Sequence, residues 1–333
     1  MMKRLIAILL SLLLIFAVTS CGKSTDDKKK NTTAKTDTAS DKKDKTEKTG
    51  ETDAPFLWQA TDKNGRVIYF FGTIHAGDKR SKEILKRLQP TLKKCDALAV
   101  EFDSIAYSKD MSKQQDDVLL FMYDDGSTIT DHIPEELYNK LVTLLTEQKL
   151  YNKVYDNFKP ALWYQLYNQA IIKMADLKTN KGMDELLIKD AYSADREVLE
   201  VESSDFQNDL LVNAPDEYYT IAFKSEIDDI DKSVSGLNKL YELWLEGDEN
   251  KIKEFAEDDE EIEGLTAEEE KIVEDFNEKL LTERNIGMVE KAKEYLESGK
   301  TVFFAVGAMH FIGDDGIKAL LEKEGFRFKR VKY

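Results

Sequence analysis

Residues 67–75 (VIYFFGTIH) and 302–310 (VFFAVGAMH) share one pattern, an apolar run of strand-forming residues that ends in Gly-x-x-His. The chain has only three histidines, so the recurrence of two in one setting constrains it more than any other feature. Unbroken runs of β-branched and aromatic residues predict buried strands. Gly72 and Gly307 permit a tight approach or a positive φ at each strand end. In open α/β sheets, ligands bind just beyond the carboxyl ends of the strands. Two parallel strands placed there would bring His75 and His310 face to face.

The rest of the chain predicts an α/β fold to hold these strands. Residues 66–74 read as a strand, residues 81–94 as a helix with apolar positions three and four apart, and residues 97–102 (ALAVEF) as a second buried strand. This βαβ order predicts a parallel pair with a right-handed crossover. Helices follow from Pro134, from Pro160 and over residues 182–194, then a strand over residues 196–201 and more helix over residues 205–296. Residues 301–306 form the next strand, residues 314–323 a helix and residues 326–331 a closing strand. The expected fold is a central mixed, largely parallel sheet built from two related halves. A large helical insertion spans about residues 105–295, inside a domain over residues 55–333.

Glu101 closes the ALAVEF run among apolar residues. A carboxylate there needs a partner, because an unpaired buried charge is costly. Two neutral histidines and one carboxylate suit a divalent transition metal with open positions for water. Such an ion would bring the pKa of a bound water toward neutrality and supply a nucleophile for hydrolysis. The plainer reading is two satisfied histidines and a salt-bridged glutamate.

The first residues read as a targeting segment. Lys3 and Arg4 precede an uncharged run over residues 5–18, too short to span a membrane and fitting a signal peptide over residues 1–20. The run ends in Val-Thr-Ser-Cys21-Gly, which resembles the lipobox of bacterial lipoproteins. Lipid on Cys21 would tether the protein to the extracytoplasmic face of a bacterial cell membrane. Residues 22–54 hold no aromatic or branched aliphatic side chain and read as a solvated tether.

The formal net charge of −17 argues against a nucleic-acid partner, whose phosphates call for a basic face. Most of the acidity is local, since residues 246–275 carry 15 acids and 3 lysines. That stretch lacks the alternating ligands of a calcium loop and reads as a solvated face.

The paired motifs Gly72-Thr73-Ile74-His75 and Gly307-Ala308-Met309-His310 resemble those of the TraB/GumN family, which also includes the Tiki proteases of animals. Glu101 matches the family's strand-end glutamate, and Gly182-Met183-Asp184 resembles its helix start. Val201-Glu202-Ser203 with Gln207, Arg284-Asn285 with Met288, and Phe311 with Gly313 after His310 complete an ordered set over residues 56–333. The resemblance implies a metal-dependent peptidase, or a binder that sequesters peptides or small ligands without turnover. Carried over, His75, His310 and Glu101 would be metal ligands, or ligands plus a base. Arg284 would hold a substrate carboxylate or carbonyl and Asn285 would donate to an oxyanion. Glu202 and Asp184 are secondary candidates. Outside the resemblance, His132 in Asp-His-Ile-Pro reads as part of a helix N-terminus, and Cys95 and the Trp163, Tyr164 and Tyr167 set read as packing.

Overall fold

The computed structural model describes residues 54–257 and 264–333. The expected signal peptide, Cys21 and the tether lie outside the described residues, apart from Ala54 at the tether's end. So does part of the acidic stretch.

Six strands form one sheet: β1 (Leu57–Thr61), β2 (Val67–Thr73), β3 (Ala97–Val100), β4 (Glu197–Glu200), β5 (Val302–Gly307) and β6 (Arg327–Arg330). Their spatial order is β4-β3-β5-β2-β1-β6. β4, β3, β5 and β2 run parallel, while β1 is antiparallel to both β2 and β6. The sheet is therefore mixed and largely parallel, as the sequence implies. The two Gly-x-x-His strands are direct neighbours, with Gly72 opposite Val306 and Thr73 opposite Gly307. All of β5 and nearly all of β2 is buried, which accounts for their unbroken apolar runs. Phe70 meets Phe304, and Phe71 meets Phe303, across this pair.

β1 is the strand that the sequence reading missed. Its LWQAT places Gln59 and Thr61 among apolar residues, a mixture that carries little strand signal. Pairing on both edges, to β2 and β6, holds it in place. Helices cover the sheet. The Arg80–Leu92 helix makes the crossover from β2 to β3 and buries Ile84, Leu88 and Leu92. The helical insertion contributes the Pro160–Met174 helix, with Trp163, Tyr164 and Tyr167 buried as packing residues. Pro160 occupies its first turn, where the missing N–H costs nothing. Cys95 is buried and its Sγ donates to the Thr91 carbonyl; burial pushes the thiol up to about 12, so it stays an inert packing group. Among the described residues, no helix is long and apolar enough to cross a membrane.

Candidate functional site

β2, β3 and β5 end side by side, and the residues just past them converge. Glu101 follows Val100, which pairs with Ala305. A Cβ built on Gly307 would lie 3.3 Å from Glu101 Oε1, 3.5 Å from His310 Cδ2 and 3.8 Å from His75 Nε2. The three groups named from sequence therefore meet around one backbone position. His310 Nε2 lies 3.9 Å from Glu101 Oε1. Among the described residues, however, no three His, Cys, Asp or Glu side chains stand at metal-holding distances.

The glycines act through close approach; neither has a positive φ. A side chain at Gly72 would drive its Cβ to within 1.9 Å of the Phe56 ring, and the Gly72 carbonyl accepts from Trp244 Nε1. Gly307 leaves room for the three converging groups, and its N–H donates to Glu101 Oε1 at 2.8 Å. Gly182 does the same for a helix. Its Cα sits against the His75 carbonyl, and the next amide, Met183 N–H, donates to the Ile74 carbonyl. This close approach brings the first turn of the Met183–Ser193 helix onto the Gly-x-x-His loop.

Each imidazole is held through Nδ1. His75 Nδ1 lies 2.9 Å from Asp184 Oδ2, and Thr73 Oγ1 donates to Asp184 Oδ1 at 2.6 Å. His310 Nδ1 lies 2.7 Å from Asn285 Oδ1, and Asn285 Nδ2 donates to the Asp315 carbonyl. Both rings thus turn Nε2 toward Glu101. His310 Nε2 is fully buried and has no hydrogen-bond partner among the described residues.

Glu101 is held as firmly. Arg284 Nη2 donates to Glu101 Oε2 at 2.8 Å and to Glu202 Oε2 at 2.7 Å, while Arg284 Nε donates to Glu202 Oε1. Gln207 Nε2 bridges the same two carboxylates. Glu202 reaches this position because its N–H pairs with the Glu101 carbonyl, extending the parallel pairing of β3 with β4. A single turn of π-helix, Lys279–Glu283, immediately precedes Arg284 and Asn285 in the Arg284–Glu297 helix.

Arg284 and Asn285 both make their contacts within the chain. Arg284 is fully buried and engaged with two carboxylates of its own chain, so it positions them and is not free to grip a substrate. Asn285 bonds His310 through its oxygen and the Asp315 carbonyl through one of its two N–H donors, so it orients a histidine. Glu202 accepts from Arg284 and Gln207, and Asp184 bonds His75 and Thr73. Thr73 carried no sequence signal of a role; it stands two residues before His75 and anchors that histidine's carboxylate partner.

Charge follows from these contacts. Burial raises the Glu101 pKa, but Arg284 and the two histidines outweigh it and keep the carboxylate ionised. Burial lowers the His310 pKa, Arg284 adds to this, and the ring is held neutral with a pKa of about 3. Burial also opposes charge on His75, but the facing Asp184 outweighs it and Glu101 adds to the effect, raising the pKa to about 9. The Arg284 guanidinium stands between two carboxylates, Glu101 and Glu202, while Asp184 pairs with His75. At neutral pH His75 therefore carries the second ring proton while His310 does not, and a divalent cation bound at the His75 ring would have to displace that proton.

The His75 side chain is 22% exposed, whereas those of His310 and Glu101 are almost fully buried, so solvent reaches the site on the His75 side. An apolar recess adjoins it, lined by Ile74, Leu240, Trp244, Ile252, Ala308 and Met309.

A model of the TraB/PrgY/gumN family matches residues 56–330. Neither the curated proteins nor the solved structures gave a match.

Proposed function

The chain belongs to the TraB/PrgY/gumN family, and on that premise we propose that it is a metal-dependent hydrolase of peptides. The metal would be held by His75 and His310 through Nε2 and by Glu101 through Oε1. One observation carries this reading: each imidazole is tied at Nδ1 to a side-chain oxygen, which leaves Nε2 aimed at an ionised carboxylate. Metal-binding histidines are oriented in the same way, by an outer oxygen acceptor at the other ring nitrogen. The buried, unpartnered Nε2 of His310 fits this use, because a lone pair facing a carboxylate needs a cation between them.

When bound, a divalent ion supplies Lewis acidity and the activation of water at neutral pH. The chain's own residues do the rest. Arg284, Gln207 and the Gly307 amide fix both oxygens of Glu101, leaving Oε1 one free lone pair on the histidine side, which the metal would take. Asp184 with Thr73, and Asn285 with Asp315, fix the two rings. The apolar recess beside His75 takes a small apolar substrate group and excludes water there.

The burial of His310 and Glu101 favours a second reading, a pocket that sequesters a peptide or small ligand without turnover. Peptide libraries incubated with the protein, with and without chelator, separate the two. Hydrolysis that chelator abolishes and manganese, cobalt or zinc restores supports the first. Peptide bound and recovered intact under all three metals supports the second.

The lipobox-like run supports a tether at Cys21 on the extracytoplasmic face of the membrane. Cys21→Ser should move the protein from the membrane to the soluble fraction after a salt wash. A variant that stays membrane-bound would overturn the anchor.

A further inference from the structure

His132 lies far along the chain from both Gly-x-x-His motifs, and its surroundings have a pattern of their own. Its Nε2 is 2.9 Å from Ser127 Oγ, and its Nδ1 is 2.7 Å from Asp216 Oδ2. A serine on one ring nitrogen and a carboxylate on the other is the arrangement of an activated serine nucleophile. We infer that Ser127, His132 and Asp216 form a second reactive site, in which Ser127 takes acyl groups from small carboxylic esters.

Three different parts of the fold supply it. Gly126, with a left-handed φ of 83°, turns the loop immediately before Ser127. His132 closes the short Ile129–Asp131 turn of 3-10 helix. Asp216 begins the Asp216–Glu226 helix, which presents it to the loop. The Tyr123 ring stacks on His132 with centroids 4.1 Å apart and planes 15° apart, fixing the plane of the imidazole. The side chains of His132 and Asp216 are about a quarter and a third exposed, so a small reagent reaches them.

Hydrogen-bond balance sets the chemistry. A proton on His132 Nδ1 donates to Asp216, which leaves Nε2 as an acceptor for the serine proton. The Ser127 hydroxyl has a second acceptor, Asp125 Oδ1 at 2.6 Å, so its single proton is shared between two sites. Attack forms the Ser127 Oγ–acyl bond, moves the Oγ proton to His132 Nε2 and breaks the ester C–O bond. The imidazolium returns that proton to the departing alkoxide. Water, deprotonated by His132, then releases the acid and restores Ser127.

The same balance explains why esters are the class. The amides of Ser127 and Thr128 are spent on Asp125 and Asp131, so the loop presents no pair of free amides to a developing oxyanion. One lost donor of that kind costs on the order of 100- to 1,000-fold in kcat. Good leaving groups tolerate this loss and amides do not.

A fluorophosphonate probe applied to the full-length protein tests the assignment, since Oγ attack on phosphorus expels fluoride and leaves a stable adduct. Peptide mapping should place the adduct on Ser127, with unchanged yield in chelator. His132→Ala and Asp216→Asn, checked for folding by circular dichroism, should react on the order of 100-fold more slowly. p-Nitrophenyl acetate should give a burst that Ser127→Ala removes. The wild-type protein alone also decides the matter, should any variant fail to fold. An unlabelled Ser127, or one labelled no faster than in the urea-unfolded chain, overturns the inference. Equal labelling in a folded His132→Ala protein overturns it as well.

Discussion

The Asn285 side-chain oxygen lies 2.7 Å from His310 Nδ1, and the other nitrogen of that ring is buried without a partner. Asn285 thereby decides which nitrogen of His310 faces Glu101. Replacing it with alanine removes the orienting acceptor and leaves the Asp315 carbonyl without its donor. We expect metal affinity to fall about 10- to 100-fold, as for other outer-shell partners of metal-binding histidines. Isothermal titration with manganese or zinc measures this. Unchanged affinity in a folded Asn285→Ala protein would remove Asn285 from the account.

Among the described residues Arg284 is the sole guanidinium bonded to Glu101 and Glu202, and all three side chains are buried. Arg284→Met strands both carboxylates, and breaking a buried pair in this way costs about 3–5 kcal/mol. Arg284→Lys keeps the charge but loses the fork that spans two carboxylates, so it should fall between. Urea denaturation of the three proteins gives the order. An Arg284→Met protein as stable as wild type would contradict the role assigned to the ion pair.

Gly72 is needed because the Phe56 ring occupies the space of a side chain, with no positive φ involved. Gly72→Ala should destabilise by about 1–3 kcal/mol through overpacking. Adding Phe56→Leu should recover part of that loss, whereas the same change alone should cost stability by opening a cavity. Purely additive effects in this double-mutant cycle would show that the contact is not the reason for the glycine.

Glu226 is buried in the helical insertion, where its Oε1 accepts from the Tyr164 hydroxyl and its Oε2 has no partner. Burial raises its pKa from 4.5 to about 8, against the lowering effect of Tyr164 and Tyr167. From about pH 4.5 to 8 the folded chain therefore holds a proton that the unfolded chain has released. This contribution to stability falls as pH rises through that window, by on the order of a few kcal/mol in all. Glu226→Gln removes the titration, so the variant should gain on wild type steadily from pH 5 to pH 8. Parallel stability curves for the two proteins would show that the carboxyl stays ionised in the fold.

Much of the sheet and the core of the site were legible in the sequence, for identifiable physical reasons. β2, β3 and β5 are buried runs, and burial leaves its mark as unbroken apolar sequence. His75 and His310 stood out because a scarce residue recurs after such runs. What stayed hidden was set by distant packing. Asp184 meets His75 across 109 positions, and Arg284 meets Glu101 across 183. No local pattern encodes either pairing, so resemblance marked Arg284 and Asn285 while only their burial revealed that they support the site. β1 was missed because its place depends on two partner strands and not on its own five residues. Ser127, His132 and Asp216 were illegible for the same reason, since Asp216 lies 84 positions from His132.

The central claim is that the His75–Glu101–His310 set holds a divalent metal ion. Elemental analysis of protein equilibrated with manganese, cobalt or zinc and then freed of excess ion tests it most directly. About one equivalent per chain is expected in the wild-type protein, and its loss in folded His75→Ala and His310→Ala variants. Wild-type protein that retains none of the three metals, or histidine variants that retain as much as wild type, would contradict it.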